Sequence, residues 1–263
     1  QSLKLLDEIE INNSEEIKSQ IYEEIGKLLC EKSPKEAITY LANVLDSVIK
    51  ESDIRKIIDL SGYFVKSCYL TGNYFGANEA VDAIITSIST ADVNVSPVDI
   101  SLIKTRKLKA LINIGNSEQV INLVNEDIIP TLEKGLYSRQ ISTRYKHLLI
   151  NAWLLSKFSL AKAYALQGNP EVFNIIEQIR QFTEKYEYNN KYYISEINLT
   201  DAFANTVSGD INKSNEILNN ISNSYRNKNM ETNLLAEWNL INIINRVLSG
   251  QKNDLKVDLF ELA

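Results

Sequence analysis

The chain reads as an all-α fold, a right-handed α-solenoid of about five to six helical hairpins spread over residues 1–263, on three observations. Turn signals recur about every 40 residues. The helix after each turn opens with small or apolar residues in matching places. Only 9 Gly and 4 Pro are present, too few for the many tight turns of an all-β fold.

The unit is clearest from Ile57 to Ile88, which predicts two helices joined at Gly72-Asn73. The first carries Leu60, Phe64, Cys68 and Tyr69, and the second Ala77, Val81, Ile84 and Ile88, at three- and four-residue spacings. Neither helix can bury its apolar stripe alone, so neighbouring copies must cover it. In chain order the hinges are Lys32-Ser33-Pro34, Gly72-Asn73, Gly115-Asn116, Gly168-Asn169-Pro170, Gly209-Asp210 and Gly250, with one longer interval of about 53 residues. Gly ends a helix in the left-handed conformation, and the following Asn or Asp caps the next. At the first hinge Ser33 is expected to cap, Pro34 to take the first helical position and Glu36 to close a capping box. Asn116 with Gln119, Asn169 before Pro170, and Ser96-Pro97 after the Thr90–Val95 loop repeat that logic. Pro130 falls inside the helical run from Val124 to Lys134 and predicts a kink or break in the long interval.

The second helices align at Ala37, Leu41 and Val44; at Ala77, Val81 and Ile84; at Val120 and Val124; at Phe173 and Ile176; and at Ser214, Leu218 and Ile221. Gly72, Tyr74 and Ala77 place a Gly before the turn, an aromatic after it and a small residue opening the second helix, and Gly209, Ile211 and Ser214 follow more loosely. In this the chain resembles tetratricopeptide repeats. Its longer units are similar to the divergent forms in kinesin light chains, cohesin-loader subunits and bacterial peptide-sensing regulators. The resemblance implies first helices lining a concave, peptide-binding wall and no cofactor.

A net charge of −6 weighs against a dedicated nucleic-acid or anionic-membrane binder. No apolar stretch approaches the ~18–20 residues of a membrane span, and no signal segment opens the chain. Cys30 and Cys68 lie within apolar helical patterns and are expected as buried thiols in a reducing cytoplasmic or nuclear compartment. Gln1 opens the chain without an initiator Met, in what reads as a helix, and predicts a piece of a longer protein.

Catalysis and metal binding find little footing. His147, the single histidine, belongs to a helix face and is expected to be structural. One His and two separated Cys make no metal cluster, and no glycine-rich phosphate cradle is present. The acidic pairs Asp7-Glu8, Glu15-Glu16 and Glu23-Glu24 are adjacent and do not face each other on a helix. The chain is therefore expected not to be an enzyme.

Surface polarity says more. About eleven residues before each Gly hinge stand Ser61, Lys104, Lys157, Asn198 and Asn239, a candidate polar ladder. The middle of the chain is locally basic, with Lys104, Arg106, Lys107 and Lys109, then Arg139, Arg144, Lys146, Lys157 and Lys162. The groove candidates are thus Lys104, Lys107, Lys146, Lys157, Asn198 and Asn239. Reversing Lys104 and Lys157 to Glu is expected to slow partner association and spare the fold. Tyr186, Tyr188, Tyr192 and Tyr193 around Asn189-Asn190 are expected to pack across a repeat junction, Trp153 and Trp238 to be mostly buried, and the run Asn219–Asn229 to end a helix. The expected function is a non-enzymatic protein–protein interaction scaffold within a larger chain or complex, binding a protein or extended peptide of acidic character. The alternative is the peptide-sensing domain of a bacterial transcription regulator.

Overall fold

The computed structural model describes residues 14–138, 141–188, 191–225, 230 and 232–250, and they are helical with no strand among them. Arg139, Asn189-Asn190, Arg226–Asn229 and the pair Asp7-Glu8 lie outside the described residues, as do the side chains of Glu15-Glu16. No helix among those described is long and apolar enough to cross a membrane. The chain divides into two compact units, Gln1–Asn116 with Asn125–Ala152, and Ser117–Val124 with Trp153–Ala263.

In the first unit α1 (Ser14–Lys32) packs against α2 (Pro34–Lys50), and both pack against α3 (Ile54–Leu70). The helix α4 (Tyr74–Thr90) follows, then α5 (Pro97–Lys104), a 3-10 turn (Thr105–Lys107) and α6 (Leu108–Asn113). Each helix touches its chain neighbour, and the first helices of successive hairpins also touch, α1 with α3 and α3 with α5. The second unit holds α7 (Ser117–Leu123), most of α9 (Thr143–Leu166), α10 (Glu171–Lys185), α11 (Lys191–Val207), α12 (Ile211–Ser224) and α13 (Thr232–Leu248). There α11 packs on α10, α12 and α13 in the same manner.

Every glycine hinge lies at a helix boundary. At Gly72 the N–H of Asn73 donates to the Cys68 carbonyl at 3.0 Å and that of Gly72 to the Tyr69 carbonyl at 2.9 Å, a Schellman closure with Gly72 at φ 72°. Gly115, Gly168 and Gly209 close their helices the same way. Three of the second helices end on the same motif, but with non-glycine residues in the left-handed position: Ser52, Asp92 and Glu187. The caps at Asn73, Ser96 and Asp210 form, each accepting from the N–H three residues on. Asn169 accepts from Glu171 N–H at 3.0 Å. Ser33 does not cap with its side chain: it is a one-residue hinge whose N–H still donates to Leu29 and whose carbonyl already accepts from Glu36 and Ala37.

Pro130 distorts its helix without breaking it. An α-helical Pro130 would leave the Glu126 carbonyl without a donor, and the chain instead winds as a π-helix over Val124–Ile128. Helix α8 (Ile129–Leu136) then resumes with Pro130 in its first turn. Most alignment residues of the second helices are core: Ala37, Leu41, Ala77, Val81, Val120, Val124 and Ser214 are fully buried. Phe173 departs from the pattern at 36% exposed, because α10 starts only at Glu171 and turns Val172, Ile175 and Ile176 inward instead.

Both thiols are buried and unbridged. Trp153 is 4% exposed and stacks on Phe182, ring centroids 3.7 Å apart, while Trp238 donates to the Leu218 carbonyl at 3.0 Å. Tyr188, Tyr192 and Tyr193 form an aromatic cluster at 5.3 Å centroid spacings. Buried Thr206, Ser214 and Asn245 tie α11, α12 and α13 through bonds of 2.7–2.9 Å, which fixes how those helices register.

Candidate anion-binding site

Three arginines meet in the first unit. Arg55, Ile58 and Asp59 share one face of α3 by their three- and four-residue spacing. Arg144, His147, Leu148 and Asn151 do the same on α9. Arg106 comes from the 3-10 turn, whose tighter winding sends consecutive side chains to different neighbours: Lys107 Nζ to Asp82 at 2.7 Å, and Arg106 across to α3 beside Gly62. Tyr69 fixes that turn by donating its hydroxyl to the Arg106 carbonyl, and burial pushes the Tyr69 phenol well above its ordinary pKa.

These side chains line a pocket of about 400 Å³, closed at its edge by Ser142 and Tyr145 and floored by the apolar Ile58 and Leu148. Its charge is unbalanced. Among the described residues none of the three guanidinium groups makes a hydrogen bond or an ion pair, and the buried Nε of Arg106 has no partner. Burial lowers the basicity of Arg106, and the charge of Asp59 works the other way. The carboxylates nearby are already held. Asp59 pairs with Lys27 at 3.1 Å, and Asp99 accepts from the Tyr145 hydroxyl at 2.7 Å and from Ser96 at 2.6 Å. Burial, then that bond to Asp99, raises the Tyr145 pKa, so the phenol stays a neutral donor.

A guanidinium presents a rigid fork of donors that suits carboxylate or phosphate oxygens, and it stays charged at any physiological pH. The pocket can therefore bind an anion. Groups of His, Cys, Asp and Glu able to hold a metal are absent among the described residues.

The sequence candidates occupy other places. Lys104 pairs with Asp127, and Lys107 is 7% exposed and held by Asp82. Lys146 is exposed on α9, one residue before His147. In the second unit Lys157 is 7% exposed, donates to Gln178 at 2.8 Å and lies 5.5 Å from the Trp153 ring centroid. Asn198 and Asn239 are half-buried on α11 and α13. Ser61 is wholly buried and donates to the Ile58 carbonyl, so it presents nothing to a groove. Of the basic run, Arg106 and Arg144 enter the pocket, and Arg55 joins them from outside it in sequence. No local signal sets Arg106 and Arg144 apart in the sequence: like them, every other member of the basic run lacks an acidic residue three or four positions away, and Arg55 has Glu51 and Asp59 at that spacing.

No protein-family model, curated protein or solved structure matches the chain.

Proposed function

We propose that the chain is a non-enzymatic protein–protein interaction module, a right-handed α-solenoid of tetratricopeptide type whose first helices receive an extended segment of a partner. The observation that carries this reading is the pocket: its arginines come from α3, from the 3-10 turn after α5 and from α9, the first helices of three successive hairpins, and they outnumber Asp59, the one carboxylate among the lining residues, with which none of them forms an ion pair. An acidic group on the partner would supply counter-charge and anchor the segment. Beside the pocket, Lys146 of α9 adds charge for steering; in the second unit Asn198 and Asn239 offer amides suited to peptide backbone.

The test is a binding comparison between acidic and neutral degenerate peptide libraries, by fluorescence anisotropy, on the full chain and on the Arg55→Gln/Arg144→Gln variant. Binding of the acidic library, weakened by salt and by the double substitution, supports the module; equal binding of both libraries removes the pocket from recognition. A sensing domain would differ in one readout. A short free peptide would raise its thermal midpoint by mass action, whereas a scaffold responds to a partner protein.

A further inference from the structure

Resting on that partner-segment reading, we propose that the arginine pocket recognises a phosphoryl group, carried as a phosphorylated side chain on the segment. Charge is the first argument. Arg55, Arg106 and Arg144 bring three positive charges into one pocket of about 400 Å³, and the single carboxylate among its lining residues, Asp59, is paired with Lys27, so the lining carries a net positive charge. One carboxylate brings a single charge and two oxygens, enough for one guanidinium fork. A phosphomonoester brings about −1.5 to −2 and three acceptor oxygens on one centre, and so matches several forks at once.

Geometry is the second. Acidic residues on the same side of an extended segment stand about 7 Å apart, so two of them spread charge along a groove. Here the three arginines line one pocket. The third argument is that the Arg106 guanidinium is held in place: its Nε is buried without an acceptor, the group lies against Gly62 of α3, and its charge has no ion-pair partner among the described residues. The apolar floor of Ile58 and Leu148 suits the carbon stem of the side chain that bears the phosphate.

The experiment uses the full chain and three oriented peptide libraries, degenerate except for a fixed central phosphoserine, glutamate or serine, with O-phosphoserine and inorganic phosphate as competitors. The phosphoserine library is expected to bind about tenfold or more tighter than the glutamate library, and Arg144→Gln to abolish most of that difference. Arg144 is exposed, so this variant keeps its helical circular dichroism, whereas Arg106 is half-buried with its Nε enclosed, and Arg106→Gln would also disturb packing. Equal binding of the phosphoserine and glutamate libraries, both tighter than the serine library, would overturn the phosphoryl site and leave the acidic-segment reading standing; equal binding of all three would overturn both. Failure of all three to bind would overturn both. Free O-phosphoserine or inorganic phosphate binding as tightly as the phosphoserine library would keep the phosphoryl site but overturn a peptide as its carrier.

Discussion

The guanidinium of Arg106 lies flush against Gly62: a methyl built there would lie 3.3 Å from Arg106 Cζ and 3.5 Å from one terminal nitrogen, close enough that the arginine would have to give by a few tenths of an ångström. Gly62 sits inside α3, where glycine is unfavourable by about 1 kcal/mol relative to alanine. Its presence is explained by the seat it makes for the arginine. Gly62→Ala is expected to change stability by less than about 1 kcal/mol, because the helix gain offsets the displaced side chain. Anion binding should fall severalfold. A urea melt and an anisotropy titration with the phosphoserine library check the two halves, and unchanged affinity would show that the seat does not matter.

Lys27 controls the pocket from outside it. It holds Asp59 at 3.1 Å, and Asp59 is the carboxylate whose charge reaches Arg106. Lys27→Met releases Asp59 to neutralise the arginines and is expected to weaken binding of the phosphoserine library, by up to about fivefold for a charge this exposed. Asp59→Asn should strengthen it, and the double variant should bind like Asp59→Asn. Additive effects of the two single substitutions would show that Lys27 acts only through the general field.

The same network predicts an acid transition. Burial pushes the Glu23 carboxyl up, but hydrogen bonds from Lys27 at 2.7 Å and Lys56 at 2.9 Å outweigh it and hold the group below its usual pKa. A carboxyl depressed in the folded state contributes stability above its unfolded pKa of about 4.3, and loses it as pH falls through the folded value. Glu23→Gln should therefore cost about 1.5–3 kcal/mol at pH 7, and the gap from the parent chain should close in strong acid. Urea melts at the two pH values measure it; a gap independent of pH would remove the linkage.

Much of the helix plan was legible because glycine and cap residues act locally. Gly72 with Asn73 dictates a helix end and the next start from four or five residues of sequence. The end of α4 was legible too, from the Thr90–Val95 loop, but the left-handed residues that close α2, α4 and α10, namely Ser52, Asp92 and Glu187, carry no glycine to mark them. The site was half legible. The basic run was visible, but which of its members point outward was decided by the 3-10 turn at Thr105–Lys107, and no Gly or Pro in that stretch gives warning of the change in winding. Arg55 joins only through the packing of α3 beside Arg106.

Lys157 shows the consequence of reading exposure from polarity alone. Its expected place on an open wall implied that Lys157→Glu would be neutral for the fold. At 7% exposed, against Trp153 and Gln178, a carboxylate there would be buried beside an indole face and would lose the ammonium's bond to Gln178 Oε1. Lys157→Glu is expected to destabilise the chain by about 2 kcal/mol or more, whereas Lys157→Met, which keeps the stem over the ring, should cost less than half of that. Thermal melts of both variants decide between the two pictures.

Lys162 provides the sharpest test of how the second unit is held. Its ammonium lies 3.3 Å from Glu196 Oε1 and 2.8 Å from Glu237 Oε1, joining α9, α11 and α13. Burial works against its charge, yet the two carboxylates outweigh that and raise its pKa above the ordinary lysine value. A lysine raised on folding contributes stability below about pH 10.4 and loses it only as pH climbs through the folded value, so the contribution is complete at neutrality. Removing it leaves Glu196 and Glu237, 14% and 24% exposed, facing each other without a counter-ion. Lys162→Ala should therefore cost about 2–4 kcal/mol at pH 7. If repulsion is the cause, Glu196→Gln/Glu237→Gln added to Lys162→Ala should recover more than half of the loss in a urea melt. A loss that persists in the triple variant would assign it to the missing lysine stem instead.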